Sequence, residues 1–135
     1  MTHPPRLLLA LALLAAGCEG TLNDVNADAA AGRANAELKA GDLDAAIADY
    51  DKAIALKPAT ATPWSNRGLA RQRKGDLAGA IGDYDQAIRL NPTFAAAYAN
   101  RSLARQAKGD RAGALADRNQ AIALDPTMAR QMPSQ

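Results

Sequence analysis

Residues 61–94 read ATPWSNRGLARQRKGDLAGAIGDYDQAIRLNPTF, and related sequences stand on both sides of them. A shift of 34 residues in either direction brings a glycine–aspartate pair, an alanine–isoleucine pair and a leucine-x-proline ending into register. In the central copy these features are Gly75-Asp76, Ala87-Ile88 and Leu90-x-Pro92. The sequence therefore contains three consecutive copies of one unit, at residues 27–60, 61–94 and 95–128.

Each unit predicts two helices joined by a tight turn. Thr62 followed by Pro63 favours a helix start, because threonine accepts hydrogen bonds from the first backbone N–H groups and proline needs no acceptor there. Gly75 can end that helix in the left-handed conformation, and Asp76 can cap the next helix, which Pro92 stops. The first unit predicts the same pair, near Asp28–Ala40 and Leu43–Leu56. We therefore expect an all-α chain.

A 34-residue helix–turn–helix unit of this kind resembles the tetratricopeptide repeat (TPR) family. The residues at the fourth, eighth, twentieth, twenty-fourth, twenty-seventh and thirty-second positions of the central unit have the types that the family pattern requires: Trp64, Gly68, Ala80, Tyr84, Ala87 and Pro92. The resemblance implies an α-solenoid of three TPR hairpins that forms a right-handed superhelix and buries apolar faces between neighbours. Ala30 replaces the tryptophan in the first unit, which predicts a frayed terminal repeat.

The N-terminal residues have the pattern of an export signal. Arg6 supplies a positive start, and the apolar run 7–16 is too short to span a bilayer as a mature helix. Residues 14–18, LAAGC, resemble a bacterial lipobox, which implies cleavage after residue 17 and a lipid on Cys18. Residues 18–26 then form a lipidated tether, and Glu19 favours the outer membrane over the inner, facing the periplasm. The alternative is a plain signal peptide and a soluble periplasmic or secreted protein.

The C-terminal end of the array is expected to be open. The tail 129–135 is too short for a separate capping helix, and Arg111 and Arg118 replace a leucine and a tyrosine of the other units. These arginines make the end soluble or contact an acidic partner, and the first reading is favoured. Leu115 and Ile122 on the same helix leave room for a weak homodimer.

Composition and residue types disfavour catalysis. The 135 residues have a formal net charge of +2, so no bulk electrostatic partner such as nucleic acid is indicated. The only histidine, His3, lies in the signal, and Cys18 is the only cysteine, which excludes Ser-His and Cys-His nucleophiles and the usual zinc sites from the mature chain. We expect no enzyme activity, no cofactor and no metal site.

Charged residues recur at the repeat spacing. The pairs Asp49/Asp51 and Asp83/Asp85 look like calcium-binding elements, but residues two apart on a helix point in different directions, so solvated helix faces are predicted. The arginine pairs are Arg67/Arg71 and Arg101/Arg105, and the aspartates that recur once per unit are Asp49, Asp83 and Asp117. The hypothesis is that arginines and aspartates of neighbouring hairpins pair, so that Arg67→Ala destabilises the array.

In the TPR family the first helices of successive repeats line a concave groove that binds protein ligands. The resemblance places ten candidate partner-binding residues there: Asn35, Leu38, Lys39, Thr62, Ser65, Leu69, Gln72, Arg73, Leu103 and Gln106. The family's clamp for a terminal carboxylate is disfavoured, because Ala31, Ala99 and Leu103 stand at its cation positions. The groove leucines suit either apolar anchors of a peptide or partner helix, or packing between repeats.

Together these patterns predict a non-catalytic protein–protein interaction module on an exported, lipid-anchored protein. Its groove binds a peptide or helix of a partner in the bacterial cell envelope. The alternative is a structural envelope protein that self-assembles through the open end of the array.

Overall fold

The computed structural model describes the backbone of residues 6–132 and the side chains of residues 17–132. Within that range the chain forms seven helices: α1 (Arg6–Ala40), α2 (Leu43–Leu56), α3 (Ala61–Arg73), α4 (Leu77–Leu90), α5 (Ala95–Ala107), α6 (Arg111–Leu124) and α7 (Met128–Gln131). No strand occurs in these residues, so the predicted all-α class is confirmed. Residues 1–5 of the predicted signal peptide and residues 133–135 of the predicted tail lie outside the described range.

Each of the three hairpins turns at a glycine and restarts at an aspartate. Gly75 has φ +88°, a left-handed conformation that side chains with a Cβ rarely adopt. The Asp76 carboxylate then accepts a hydrogen bond from the backbone N–H of Gly79 at 2.9 Å, which satisfies one of the free donors at the start of α4. The predicted turn chemistry and the predicted bounds of α2 are confirmed.

Within a hairpin, one aromatic ring fills the space between two closely spaced helices. Tyr84 of α4 is fully buried, and a Cβ placed on Gly68 of α3 would lie 2.8 Å from its Cε1 atom. Only a residue without a side chain therefore fits opposite this ring at the observed spacing. Tyr50 is equally buried in the first hairpin, where Ala34 stands opposite.

The hairpins stack in chain order, because α2 packs against α3 and α4 packs against α5. In the first interface Leu38, Tyr50 and Ala70 form one cluster with the partly buried Leu69. The Trp64 indole N–H donates to the carbonyl oxygen of Pro58 at 2.9 Å and so ties the second hairpin to the loop that precedes it. The first helices, α1, α3 and α5, line one side of the resulting superhelix.

Helix α1 differs from the prediction, since it begins at Arg6 rather than near Asp28. No proline interrupts residues 6–40, and Gly17 and Gly20 each weaken the helix by only about 1 kcal/mol. The Thr21 hydroxyl also donates to the carbonyl oxygen of Cys18 at 2.9 Å. The segment predicted to be a tether is therefore helical and exposed in residues 18–26.

The C-terminal end also differs from the prediction of an uncovered array. Helix α7 is a single turn, and Met132 after it is buried with Ala99 and Ala121, beside the partly buried Met128. Two methionine side chains are enough to cover small residues, so this short segment shields part of the last hairpin. Leu115 remains 49% exposed on α6, as expected. None of the helices in residues 6–132 combines the length and the apolar character needed to cross a membrane.

Candidate functional site

The main cleft of the described chain lies between α1 and α3 on the concave side, with α2 as its floor. Its volume is about 280 Å³. Residues with small side chains form most of its wall, and polar residues stand at its base and rim: Ala27, Asp28, Ala31, Gly32, Asn35, Tyr50, Ala53, Lys57, Thr60, Thr62, Pro63 and Asn66. The small wall residues leave room for a bulky side chain of a ligand.

A hydrogen-bonded group of three side chains forms the base of this cleft. The Tyr50 hydroxyl donates to Asn35 Oδ1 at 2.6 Å, and Asn66 Nδ2 donates to the same oxygen at 3.0 Å. Burial raises the pKa of Tyr50, so its hydroxyl stays protonated and keeps donating at neutral pH. The Asn35 amino group and the Asn66 carbonyl oxygen remain for other partners, and together they can pair with the N–H and C=O of a peptide backbone.

At the outer rim of the cleft, two aspartates neutralise the positive charge of Lys57. Lys57 Nζ lies 3.3 Å from Asp24 Oδ1 and 3.5 Å from Asp28 Oδ1. The hydrogen bond with Asp24 raises the pKa of Lys57, which is otherwise lowered by burial. The rim therefore offers no free cation that would favour a terminal carboxylate.

Four of the ten predicted partner-binding residues have other roles in the structure. Leu38 and Ser65 are buried, with 8% and 2% of their surface exposed, and belong to the packing between helices. Their prediction as surface contacts is corrected, because Leu38 packs with Tyr50 and Ala70 and Ser65 is almost fully enclosed. Leu69 packs against the same cluster, and Gln72 Oε1 accepts a hydrogen bond from the Tyr84 hydroxyl at 2.8 Å. For Leu38 and Leu69 the structure therefore favours packing between repeats.

The remaining six are at least partly accessible. Asn35 and Thr62 line the main cleft, while Lys39 and Gln106 are exposed near the ends of α1 and α5. Arg73 donates to the carbonyl oxygen of Leu38 at 3.2 Å and so connects α3 to α1. Whether these residues contact a partner stays a prediction.

The tenth residue, Leu103, lies apart from the others. It is 39% exposed and lines a second cleft of about 240 Å³ between α5 and the C-terminal segment. Asn100, Met128 and Met132 line the same cleft. Of the three groove leucines, Leu103 alone presents a large apolar surface to solvent among the described residues.

Sequence reasoning missed two residues at the base of the main cleft. Asn66 stands at the sixth position of its repeat, and the prediction considered only the second, fifth, ninth, twelfth and thirteenth positions. Asn100 recurs 34 residues later, and this repetition is the signal that could have found it. Tyr50 stands at the repeat position of Tyr84, an aromatic position of the family pattern, and its hydroxyl reaches the groove because small residues surround it.

The first aspartate of each pair predicted as a solvated face, Asp49 or Asp83, is instead buried and paired, whereas the side chains of Asp51 and Asp85 are 52% and 45% exposed. Asp83 is 2% exposed, and its oxygens accept hydrogen bonds from Arg67 Nε at 3.0 Å and Arg67 Nη2 at 2.7 Å. Arg71 Nη1 adds a third contact at 3.1 Å. The solvated-face prediction is therefore wrong for this position, because two arginines of the facing helix supply enough donors to bury a carboxylate.

Arginines and aspartates of neighbouring hairpins do pair, but through the second aspartate of each Asp-x-Asp pair rather than the one that recurs once per unit. Arg67 belongs to the same hairpin as Asp83, and it reaches the preceding hairpin through Nη1, which lies 2.6 Å from Asp51 Oδ1. Arg101 repeats this arrangement, with Asp117 in its own hairpin and Asp85 in the preceding one, at 2.6 Å and 2.7 Å. The first aspartate of each Asp-x-Asp pair thus binds an arginine of its own repeat, and the second binds an arginine of the next repeat.

Known proteins share this architecture. A family model described as TPR repeat matches residues 34–75 and 73–109. A comparison with curated proteins finds no match.

Among solved structures, the first TPR of Spaghetti (RPAP3), bound to the HSP90 peptide SRMEEVD, has a TM-score of 0.74 and 30% identity, and the match covers 75% of this chain and 80% of that one. The Arabidopsis OM64 TPR domain has a TM-score of 0.77 and 28% identity, with 78% and 87% covered. The TPR2B domain of yeast Sti1 in a complex with pHsp70 has a TM-score of 0.74 and 26% identity, with 78% and 85% covered. The chain belongs to the tetratricopeptide repeat family.

Proposed function

We propose that the chain is a non-catalytic protein-interaction module that binds an extended peptide or a helix of an envelope partner in its concave groove. The observation that carries this proposal is the cleft between α1 and α3, whose wall is made of small residues and whose base offers amide groups. Two of the similar structures are described as bound to an HSP90 peptide and as a pHsp70 complex, which supports a peptide ligand here.

The ligand is an internal or apolar segment rather than a free chain end. Ala31, Ala99 and Leu103 stand where a carboxylate clamp needs cations, and Lys57 at the cleft rim is already paired with aspartates. We propose that a large apolar side chain fills the main cleft while Asn35 and Asn66 hydrogen-bond the peptide backbone beside it. Leu103 then supplies a second apolar contact further along the groove.

Selection of random heptapeptides displayed on phage, with the full chain as bait, tests the groove. We expect the selected peptides to carry a large apolar residue. Gly32→Leu should weaken their binding at least tenfold, because a Cβ at Gly32 meets nothing within 4 Å and the longer side chain then fills the cleft. The matched control is Gly82→Leu, a helical glycine with equally open surroundings on α4. Equal affinities of the two variants would count against the groove.

The location of the protein in the cell is a separate proposal. We propose that the protein is exported and anchored by a lipid on Cys18, which is exposed on α1. Intact-mass analysis of the N-terminal peptide, from full-length gene product purified out of bacterial membranes, tests it. The proposal predicts a peptide that begins at Cys18 and carries a diacylglycerol modification. A peptide that retains the residues before Cys18 and no lipid would refute it.

A second candidate is self-assembly through the last hairpin, favoured by the 49% exposure of Leu115 on α6. The equivalent residue of the central repeat, Ile81, packs against the following repeat. Arg118→Tyr should promote association by restoring the tyrosine found in the other repeats. Sedimentation of the full chain over a range of concentrations distinguishes the candidates, since a protein that remains monomeric does not self-assemble through its last hairpin.

A further inference from the structure

The outer face of α1 exposes a surface that the other two hairpins bury. On this face Ala29 and Ala36 are exposed on either side of Arg33. The residues 34 positions further along are Pro63, Arg67 and Ala70, and the next set is Ala97, Arg101 and Ala104. The alanines and the proline of these later sets are buried, because α2 and α4 of the preceding hairpins cover them. The first hairpin has no preceding hairpin in the described chain, so the same surface is open.

The arginine at the centre of this face is incompletely paired. The side chains of Arg67 and Arg101 are 12% and 14% exposed, and each uses Nη1 to hold a carboxylate of the preceding hairpin. The Arg33 side chain is 57% exposed, and its contact within the described residues is Nε to Asp49 Oδ2 at 2.8 Å. Its guanidinium end is therefore free at the position where the other two arginines bind an aspartate.

Apolar residues extend this face towards the N-terminus. Leu22 is 60% exposed and Val25 is 66% exposed, and both are large for surface positions. With Ala29, Arg33 and Ala36 they follow a spacing of three or four residues, which places all five on one side of a helix. An exposed stripe of this kind next to an incompletely paired cation is typical of a binding surface rather than of a solvated helix.

We propose that this face, formed by Leu22, Val25, Ala29, Arg33 and Ala36, is a docking surface for an amphipathic helix of another protein. The partner helix supplies a carboxylate to the guanidinium of Arg33, as Asp51 does for Arg67, and apolar side chains to Leu22 and Val25. It occupies the position that a preceding hairpin's second helix takes in the rest of the array. This surface is separate from the concave groove, so the module would hold two ligands at once.

The last helix of a second copy of this chain does not match the face. At the positions of Tyr84 and Asp85, which meet the next hairpin in the interior, α6 carries Arg118 and Asn119. Head-to-tail stacking would therefore bring Arg118 towards Arg33 and leave Arg33 without a carboxylate, a like-charge arrangement that opposes association. Charge complementarity thus points to an acidic helix of a different protein.

The test uses a helix-stapled peptide with the sequence of α2, LDAAIADYDKAIAL, which already covers the equivalent face of α3. Its binding to the full chain is measured by fluorescence anisotropy. We expect binding that weakens roughly tenfold when the aspartate equivalent to Asp51 becomes asparagine, and roughly tenfold with Arg33→Ala. The two changes together should weaken binding no more than either alone, because they break the same ion pair. Arg111→Ala at the opposite end of the array is the control and should change nothing.

Ala29→Arg provides a second variant, since Arg33→Ala also removes a contact of Asp49. Ala29 is exposed, so the fold tolerates the change, and circular dichroism verifies it. This variant should abolish peptide binding by blocking the face while leaving groove ligands bound as before.

Three results would overturn the proposal. The first is no binding of the peptide up to about 1 mM, the affinity range of weak complexes. The second is equal binding to the wild type and to both face variants. The third is evidence that something else occupies the face. In that case Ala29→Arg would leave peptide binding unchanged and would suppress either self-association of the full chain or its binding to anionic lipid vesicles.

Discussion

The central and terminal repeats share one sequence pattern but differ in how completely their polar groups are paired. In the central repeat Arg67 contacts two carboxylates, one of its own hairpin and one of the preceding hairpin. In the described side chains, two buried polar atoms have no hydrogen-bond partner, Glu37 Oε2 in the first repeat and Arg118 Nε in the third. The unsatisfied atoms are thus in the first and the last repeat of the described residues, where a hairpin packs on one side only.

This difference shows that the environment of a repeat residue is set by its neighbour rather than by its own chemistry. Arg33 and Arg67 stand at the same repeat position, and their side chains are 57% and 12% exposed. A stacked hairpin supplies both the apolar cover and the second carboxylate. Equivalent substitutions should therefore have larger effects in the middle of the array than at its ends.

The largest effect is expected for Asp83→Ala. The change leaves Arg67 and Arg71 without their shared buried carboxylate and should lower the free energy of unfolding by about 3 kcal/mol. Asp49→Ala, at the same position of the first repeat, should cost clearly less, because Arg33 and Lys52 are mostly exposed and can be hydrated. Urea unfolding of the full chain measures both. Equal losses would contradict the proposed role of the neighbouring hairpin.

A smaller effect is expected for Gly68→Ala. The new methyl group would lie 2.8 Å from Tyr84 Cε1, and moving the two helices apart should cost about 1 to 2 kcal/mol. The first repeat already accommodates Ala34 opposite Tyr50, which sets the expected loss below that of a larger side chain. The control, Gly82→Ala on the exposed side of α4, should raise stability by about 0.5 to 1 kcal/mol through helix propensity. A stabilising Gly68→Ala would show that the close helix approach is not required.

The contact between hairpins should contribute less than the contact within one. Asp85→Asn removes the carboxylate that the preceding hairpin offers to Arg101, and a loss of about 0.5 to 1 kcal/mol is expected for this half-exposed pair. Asn119→Asp creates the same carboxylate on the last hairpin, which no further hairpin follows in the described chain, and should leave the unfolding midpoint unchanged. A similar shift for both variants would mean that helix charge, not the pairing, sets their effect.

The smallest effect is expected for the ionisation of the Tyr84 phenol. Burial, reinforced by the nearby Asp83 carboxylate, raises the pKa of Tyr84 above its ordinary value of 10.0. Because the folded pKa is the higher one, the buried phenol stabilises the fold below pH 10, and this contribution is lost as the pH rises through the folded pKa. The phenolate absorbance of the native chain, compared with Tyr84→Phe and with the chain in urea, measures this. Ionisation of Tyr84 at the same pH in native and unfolded chains would be the contrary result.

The sequence predicted the hairpins well because their limits depend on local chemistry. Glycine–aspartate turns and prolines act within a few residues, and the predicted bounds of α2 are confirmed. The predicted start of α1 was wrong. The repeat pattern begins near residue 27, but the helix begins well before it, because nothing in residues 18–26 breaks the helix. A repeat pattern marks where packing begins, whereas helix propensity decides how far the helix continues.

The candidate site was less predictable, because burial depends on contacts between residues far apart in sequence. The partner of Asp83 lies 16 residues earlier on another helix, so spacing along one helix could not reveal that the carboxylate is buried. Similarly, Leu38 and Leu103 both fall on the predicted groove, yet the first is enclosed by the next hairpin and the second faces solvent. The export signal and the lipid on Cys18 stay predictions of the sequence.

The uninterrupted helix α1 has a mechanical consequence for an anchored protein. Residues 18–27 rise about 14 Å along the helix axis, at 1.5 Å per residue. If Cys18 carries a lipid, the array is joined to the membrane by a rigid helical rod and not by a flexible linker. A rod fixes both the height of the groove and its angle to the bilayer, because α1 is itself one wall of that groove. Partners would then meet the groove in a fixed orientation, and a proline introduced near Leu22 would abolish this orientation without altering the groove itself.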